Sequence, residues 1–120
     1  MNINYNNLTF IIVTFKSENI IENCLETLPK DIPIIIIENS GNYDLKKKLE
    51  NKYNNLSVFI EKNEGMGNSN NIGIKLCKTD FAFIINPDIR FKQDTFDKLV
   101  SSCKLIRDFA IVSPISSNDK

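Results

Sequence analysis

The chain has 120 residues, 15 of them basic and 15 acidic, so its formal net charge is zero. That length suits one compact domain, or part of a larger one, with enough chain to bury a real core. Balanced charge removes the overall field that would draw nucleic acid or an anionic membrane, so partners have to be inferred from local sites.

The apolar runs FIIV and IPIIII are far shorter than the ~20 residues a membrane helix needs. The amino-terminal MNINYNN lacks the charged-then-apolar pattern of a signal peptide. A cytoplasmic protein is expected. With no histidine and no CxxC spacing among Cys24, Cys77 and Cys103, a zinc cluster is disfavoured and buried, reduced thiols are expected.

The first element, residues 10–15, is a continuous apolar run and reads as a strand. Ser17 follows as an expected N-cap, then Ile21, Cys24, Leu25 and Leu28 at helical spacing, stopped by Pro29. Residues 34–37, four isoleucines, form the second strand. Residues 43–53 carry Leu45, Leu49 and Tyr53 on one helical face, and residues 56–61 are again strand-like. The stretch NEGMGNSNNIG, residues 63–73, then packs three glycines and four side-chain amides into eleven positions; it reads as a loop leading to a short helix around Ile72 and Leu76. Residues 81–85 form a fourth strand. Phe96, Leu99, Val100, Cys103 and Ile106 mark an amphipathic helix, and residues 109–112 a fifth strand. No internal repeat, low-complexity tail or linker interrupts the alternation.

Alternating strands and helices predict an α/β domain: a mostly parallel sheet with helices on both faces, because each parallel crossover needs an intervening helix. Near-unbroken apolar strands agree, since strands covered on both faces do not alternate. All carboxyl ends then lie at one edge, and ligands bind there where the strand order reverses. The first and fourth strands are expected to be parallel neighbours. The residues following the strands are Thr14, Lys16 and Ser17; Glu38, Asn39 and Ser40; residues 63–67; and Asn86, Pro87 and Asp88. Small hydrogen-bonding groups dominate this set.

The order IIVTFKSE, IIIIENSG, NEGMGNSNNIGI and FAFIINPDIRF resembles the nucleotide-binding half of family 2 glycosyltransferases, inverting and metal-dependent enzymes with the GT-A fold. The resemblance runs from about residue 8 to residue 114 and implies a Rossmann-like GT-A architecture. Thr14 matches the position lying against the nucleoside, and Glu38 the acidic position that hydrogen-bonds the base. The family more often has aspartate at the latter, and the extra methylene changes the reach. Taken alone, Thr14 reads as a satisfied strand end and Glu38 as a solvated turn carboxylate.

The resemblance also gives the glycine-rich stretch a task, since in the family it crosses beneath the sugar nucleotide. Gly65 and Gly67 suit a close approach, Asn68, Asn70 and Asn71 offer neutral donors, and free N–H groups at a helix start favour a diphosphate. Neither a P-loop ending nor GxGxxG is present, which argues against the usual triphosphate and dinucleotide sites. Gly73 reads as structural, letting its helix sit close to the sheet.

Asn86-Pro87-Asp88 falls where the family carries its Asp-x-Asp element, although Pro-Asp after a strand is by itself an ordinary turn. Asp88 is the expected metal ligand, for Mn or Mg. Asn86 brings a carbonyl but no charge. The NPD form looks like the rhamnosyltransferase-like branch and points to a UDP- or dTDP-linked donor. The expected nucleotide-sugar-binding residues are thus Thr14, Glu38, Asn39, Gly65, Gly67, Asn71 and Asn86. A glycan or lipid-linked acceptor is implied, which would allow a peripheral position at the membrane.

Inversion needs a base to deprotonate the acceptor, and no residue matches one. Asp119 lies in the polar SPISSNDK and matches no family motif. Residues 1–120 are therefore expected to be a single nucleotide-sugar-binding domain, an incomplete GT-A domain without its acceptor part, completed by a missing half or another copy. The competing reading is a truncated or degenerate domain that binds a nucleotide or a protein without catalysis. The chain by itself is expected not to transfer sugar, since general base catalysis alone is worth about 10²–10⁴-fold. Incubation with manganese, UDP- and dTDP-sugars and a glycolipid extract should yield no glycosylated product, and robust transfer would contradict this.

Overall fold

The structure, a computed structural model, describes residues 3–105. After a 3-10 turn at Tyr5–Asn7 come β1 (Leu8–Thr14), α1 (Ile21–Leu25), β2 (Ile34–Glu38), α2 (Tyr43–Lys52), β3 (Leu56–Ile60), α3 (Met66–Leu76), β4 (Phe81–Ile85) and α4 (Thr95–Leu105). The expected fifth strand at 109–112, with Ile106 and Asp119, lies outside the described residues.

The four strands form one parallel sheet in the order β3-β2-β1-β4. The expected parallel pairing of the first and fourth strands is present, with Leu8 opposite Phe81 and Ile12 opposite Ile85. The chain steps outward from β1 to β3 and then jumps back past β1 to β4, so the order reverses between β1 and β4.

Side chains alternate across the sheet. Phe10, Ile12, Ile34, Ile36, Leu56 and Val58 join one core with Ile21, Cys24 and Leu25 of α1, Leu45 and Leu49 of α2, and Phe96, Val100 and Cys103 of α4. Phe10, Phe83, Phe91 and Phe96 meet there in edge-to-face contacts at centroid distances of 5.2 to 6.2 Å. The opposite face, with Ile11, receives α3, which packs on β1 and β2. Among the described residues no helix packs on that face of β4, and Ile84 is 48% exposed.

Two helices differ from the sequence reading. Ser17 does not cap α1; its hydroxyl turns back onto the N–H and C=O of Phe15, while its carbonyl accepts from Ile20 and Ile21. The helix starts on Ile20 without a side-chain cap and lasts five residues, yet Ile21, Cys24, Leu25 and Leu28 are all buried as their spacing predicts. Conversely, α3 begins within the glycine-rich stretch, at Met66. Asparagine and glycine are poor helix formers, but Ser69 and Gly73 are small enough to bury against the sheet, and that packing outweighs propensity.

Across the outside, Glu22 of α1 pairs with Lys48 and Lys52 of α2 at 2.9 and 2.8 Å, which holds its carboxyl below the usual range. The Tyr53 hydroxyl donates to Glu26 at 2.5 Å; burial and this bond push it up to about 12. Tyr53 precedes β3, so this clasp sits toward the amino edge, away from the strand carboxyl ends. Exposed pairs of this kind add little to stability, because solvent screens them.

A Cβ at Gly73 would lie 2.5 Å from Ile11 Cγ2, a branch methyl that cannot move without rotating a stiff χ1. Gly73→Ala should therefore destabilise the fold by about 1–3 kcal/mol through overpacking, read by urea unfolding. Ile11→Leu, which removes that branch methyl, should recover part of the loss.

Candidate functional site

At the carboxyl edge the strand ends are joined by hydrogen bonds from Asn39. Its N–H donates to Thr14 O of β1 at 2.8 Å. Its Nδ2 donates to Glu61 O beyond β3 at 3.1 Å, and its Oδ1 accepts from Ser69 Oγ of α3 at 2.7 Å. Asn39 and Ser69 are both buried. Sequence pattern alone had missed Ser69, because a serine among asparagines in a polar stretch carries no signal of burial.

Glu38 is fully buried, and its carboxylate is used within the turn that follows. Oε2 accepts from the N–H groups of Ser40 and Asn42 at 3.0 and 2.9 Å, and Oε1 from Ser40 Oγ at 2.5 Å. Ser40 Oγ also accepts from Lys16 N–H at 3.0 Å, which ties the β1 and β2 ends together. Lys16 adopts φ 52°, the left-handed region that non-glycine residues seldom occupy. Beside it Phe15 is 50% exposed, with Lys16 Nζ 5.4 Å from its ring centroid. An exposed aromatic at this edge was passed over in the sequence as one more residue of an apolar run.

Thr14 ends β1 opposite Glu38. It is buried, and its hydroxyl has no hydrogen-bond partner among the described residues. Gly65 starts α3 at φ 99°, and no side chain caps that helix. Apart from its chain neighbours and its own helix backbone, no atom of the described residues lies within 4 Å of where a Cβ on Gly67 would sit, so packing among them does not demand glycine there. Asn71 faces solvent from α3, as do Asn86 and Asp88 beyond β4.

Asn86 O accepts from Ile89 N–H at 3.2 Å, which makes Asn86-Pro87-Asp88 a turn. Beneath it lies Cys24, whose thiol is pushed up to about 11, chiefly by burial and also by the charge of Asp88. Among the described residues no three acidic, cysteine or histidine side chains form a metal-binding group. Cys24, Cys77 and Cys103 are free thiols, the first and last of them buried and Cys77 partly exposed. No helix among these residues is long and apolar enough to cross a membrane.

A parallel sheet in this order, with its polar groups gathered at one carboxyl edge, defines a Rossmann-like α/β domain of the GT-A kind. Residues 9–120 match the model for glycosyl transferase family 2, and the chain belongs to that family. Among solved structures, S. aureus TarS 1-349 matches with a TM-score of 0.64 at 23% identity, covering 79% of this chain and 31% of that one. A second S. aureus TarS structure matches at 0.61 and 19% identity, over 79% and 19% of the two chains. The chain thus spans a third or less of these neighbours. No curated protein matches it.

Replacing Asn39 by aspartate removes the donor to Glu61 O and sets a carboxylate against a carbonyl. Asn39→Asp should cost about 1–3 kcal/mol at neutral pH. The buried acid would titrate above its unfolded value of about 3.9, because only its protonated form can donate. Relative to wild type, the deficit should shrink as pH falls through that raised pKa and grow as pH rises through it. Parallel urea titrations between pH 4 and about 7 would check this.

Proposed function

We propose that the chain is the donor-binding portion of an inverting glycosyltransferase that uses a UDP- or dTDP-linked sugar and a glycan or lipid-linked acceptor. The observation carrying this reading is the strand-order reversal between β1 and β4, which puts the segments after Thr14 and Ile85 beside one another at the carboxyl edge. Family membership supplies the reaction class.

Within this reading the residues divide by exposure. Glu38 and Asn39 are buried and shape the edge from beneath, with Thr14 closing its floor. Exposed groups meet the donor: the Phe15 ring offers a face to the base, and the uncapped N–H groups after Gly65 suit a diphosphate. Gly67 lets the phosphates approach the backbone, and Asn71 and Asn86 supply amide hydrogen bonds.

Asp88 is an exposed carboxylate beyond β4, and magnesium and manganese are commonly held by one or two carboxylates with substrate phosphates completing the shell, which supports reading it as their ligand. Asn86 could add its carbonyl. When bound, the ion would offset the negative charge that grows on the departing nucleoside diphosphate. The protein's own groups orient the donor and leave the anomeric carbon open to an acceptor.

Calorimetric titration with UDP and dTDP, with and without manganese, tests the reading. Wild type should bind more tightly with the metal. Asp88→Ala should abolish that gain while leaving thermal stability unchanged, because an exposed side chain contributes little to the core. Failure to bind either nucleotide would favour a non-catalytic, protein-binding domain instead.

A further inference from the structure

The turn bearing Asp88 is held at both ends by α1 and the residue pair that follows it. At its near end, the Cys24 thiol points to Asn86 O at 3.9 Å, a weak contact. At its far end, Thr27 Oγ1 accepts from Phe91 N–H at 3.0 Å and donates to Cys24 O at 2.7 Å. Both roles of that hydroxyl are thus assigned, and its one proton is committed to Cys24 O. The Phe91 ring is in turn seated against Phe83 and Phe96, with centroids 6.1 and 6.2 Å away. Between these anchors Asp88, Ile89 and Arg90 are exposed. The arrangement is an arch of three exposed residues standing on fixed feet, spanning a sequence separation of 64 residues between Thr27 and Phe91.

We propose that Thr27 is a positioning residue for Asp88: its hydroxyl fixes the end of the arch so that the carboxylate is held where a nucleotide-bound divalent cation can share it. This rests on the reading of Asp88 as a metal ligand. A carboxylate on an untethered arch would have to be ordered each time the ion bound, and that ordering would be subtracted from affinity. Thr27 never touches the ion. It acts through the Phe91 amide, as outer partners of metal ligands do, and loss of such partners typically weakens metal binding about 10–100-fold.

Thr27→Val keeps the shape and removes both hydrogen bonds; Thr27→Ser keeps the hydroxyl. UDP affinity of the 120-residue chain should be measured with and without manganese for wild type, both variants and Asp88→Ala. Thr27→Val is expected to lose about tenfold of the manganese-dependent gain, with metal-free UDP affinity unchanged, and Thr27→Ser to retain the gain. If Thr27→Val keeps the wild-type gain, or loses affinity equally with and without manganese, Thr27 is merely structural and the proposal is overturned, while an Asp88→Ala loss leaves the metal reading standing. If Asp88→Ala also keeps the gain, or wild type shows none, both fall together. Should Thr27→Val not fold, amide exchange in the wild type decides. Phe91 N–H should exchange far more slowly than the neighbouring Arg90 amide before any ligand is added, and exchange at the free-chain rate would overturn the clamp.

Discussion

A single residue, Asn39, joins the ends of three strands and the face of a helix through its backbone N–H and its side-chain amide. With its backbone N–H on Thr14 O, its Nδ2 on Glu61 O and its Oδ1 receiving Ser69 Oγ, every polar atom the side chain offers is directed inward. Buried amides are costly unless paired, and here the pairing requires β1, β2, β3 and α3 to be in place together. The position of α3 follows from it. Ser69 can reach Asn39 only if the helix lies close on the sheet, and Gly73 allows that by leaving Ile11 the space a Cβ would fill.

The same logic extends one residue back along the chain. Glu38 might have been a solvated carboxylate at a strand end; buried, it instead gathers two backbone N–H groups and the Ser40 hydroxyl. Through Ser40 it also steadies Lys16 in its left-handed conformation. The result is an edge whose backbone is set before any ligand arrives, which lowers the ordering cost of binding. Internally satisfied residues lie beneath, and the exposed Phe15 ring, several amides and Asp88 lie above.

The two sides of the sheet contribute differently to that edge. On the α3 face small residues bring a helix start up to the rim. On the other face the five-residue α1 reaches the turn after β4 through Cys24 and Thr27, while its charged outer surface is clasped to α2 by Glu22. A helix this short would be marginal alone. Its buried Ile21, Cys24 and Leu25, together with those contacts, hold it.

Much of this was legible in the residues. Runs such as Ile34 to Ile37 and the spacing of Leu45 and Leu49 carry the period of their elements directly, so strands, helix faces and the parallel α/β class follow from local pattern. The motifs at the strand ends were legible too, because their order along the chain identifies the family. What pattern could not show is which polar residues turn inward. Glu38, Asn39 and Ser69 have the composition of a solvated edge, and residues 66–71 that of a loop. Ser17 had the chemistry of a helix cap and folds back on Phe15 instead. The burial of Asn39 depends on Glu61 and Ser69, 22 and 30 residues away, and those partners meet only when the sheet is assembled. The sequence by itself determined the four described strands, most of the helix faces and the sheet class, and with them the carboxyl edge where the strand-end residues gather, since these depend on period and order. The tertiary structure alone decided which of the edge's polar groups hold the fold and which remain free for a ligand, because a hydrogen-bonding group is committed only by what packs against it.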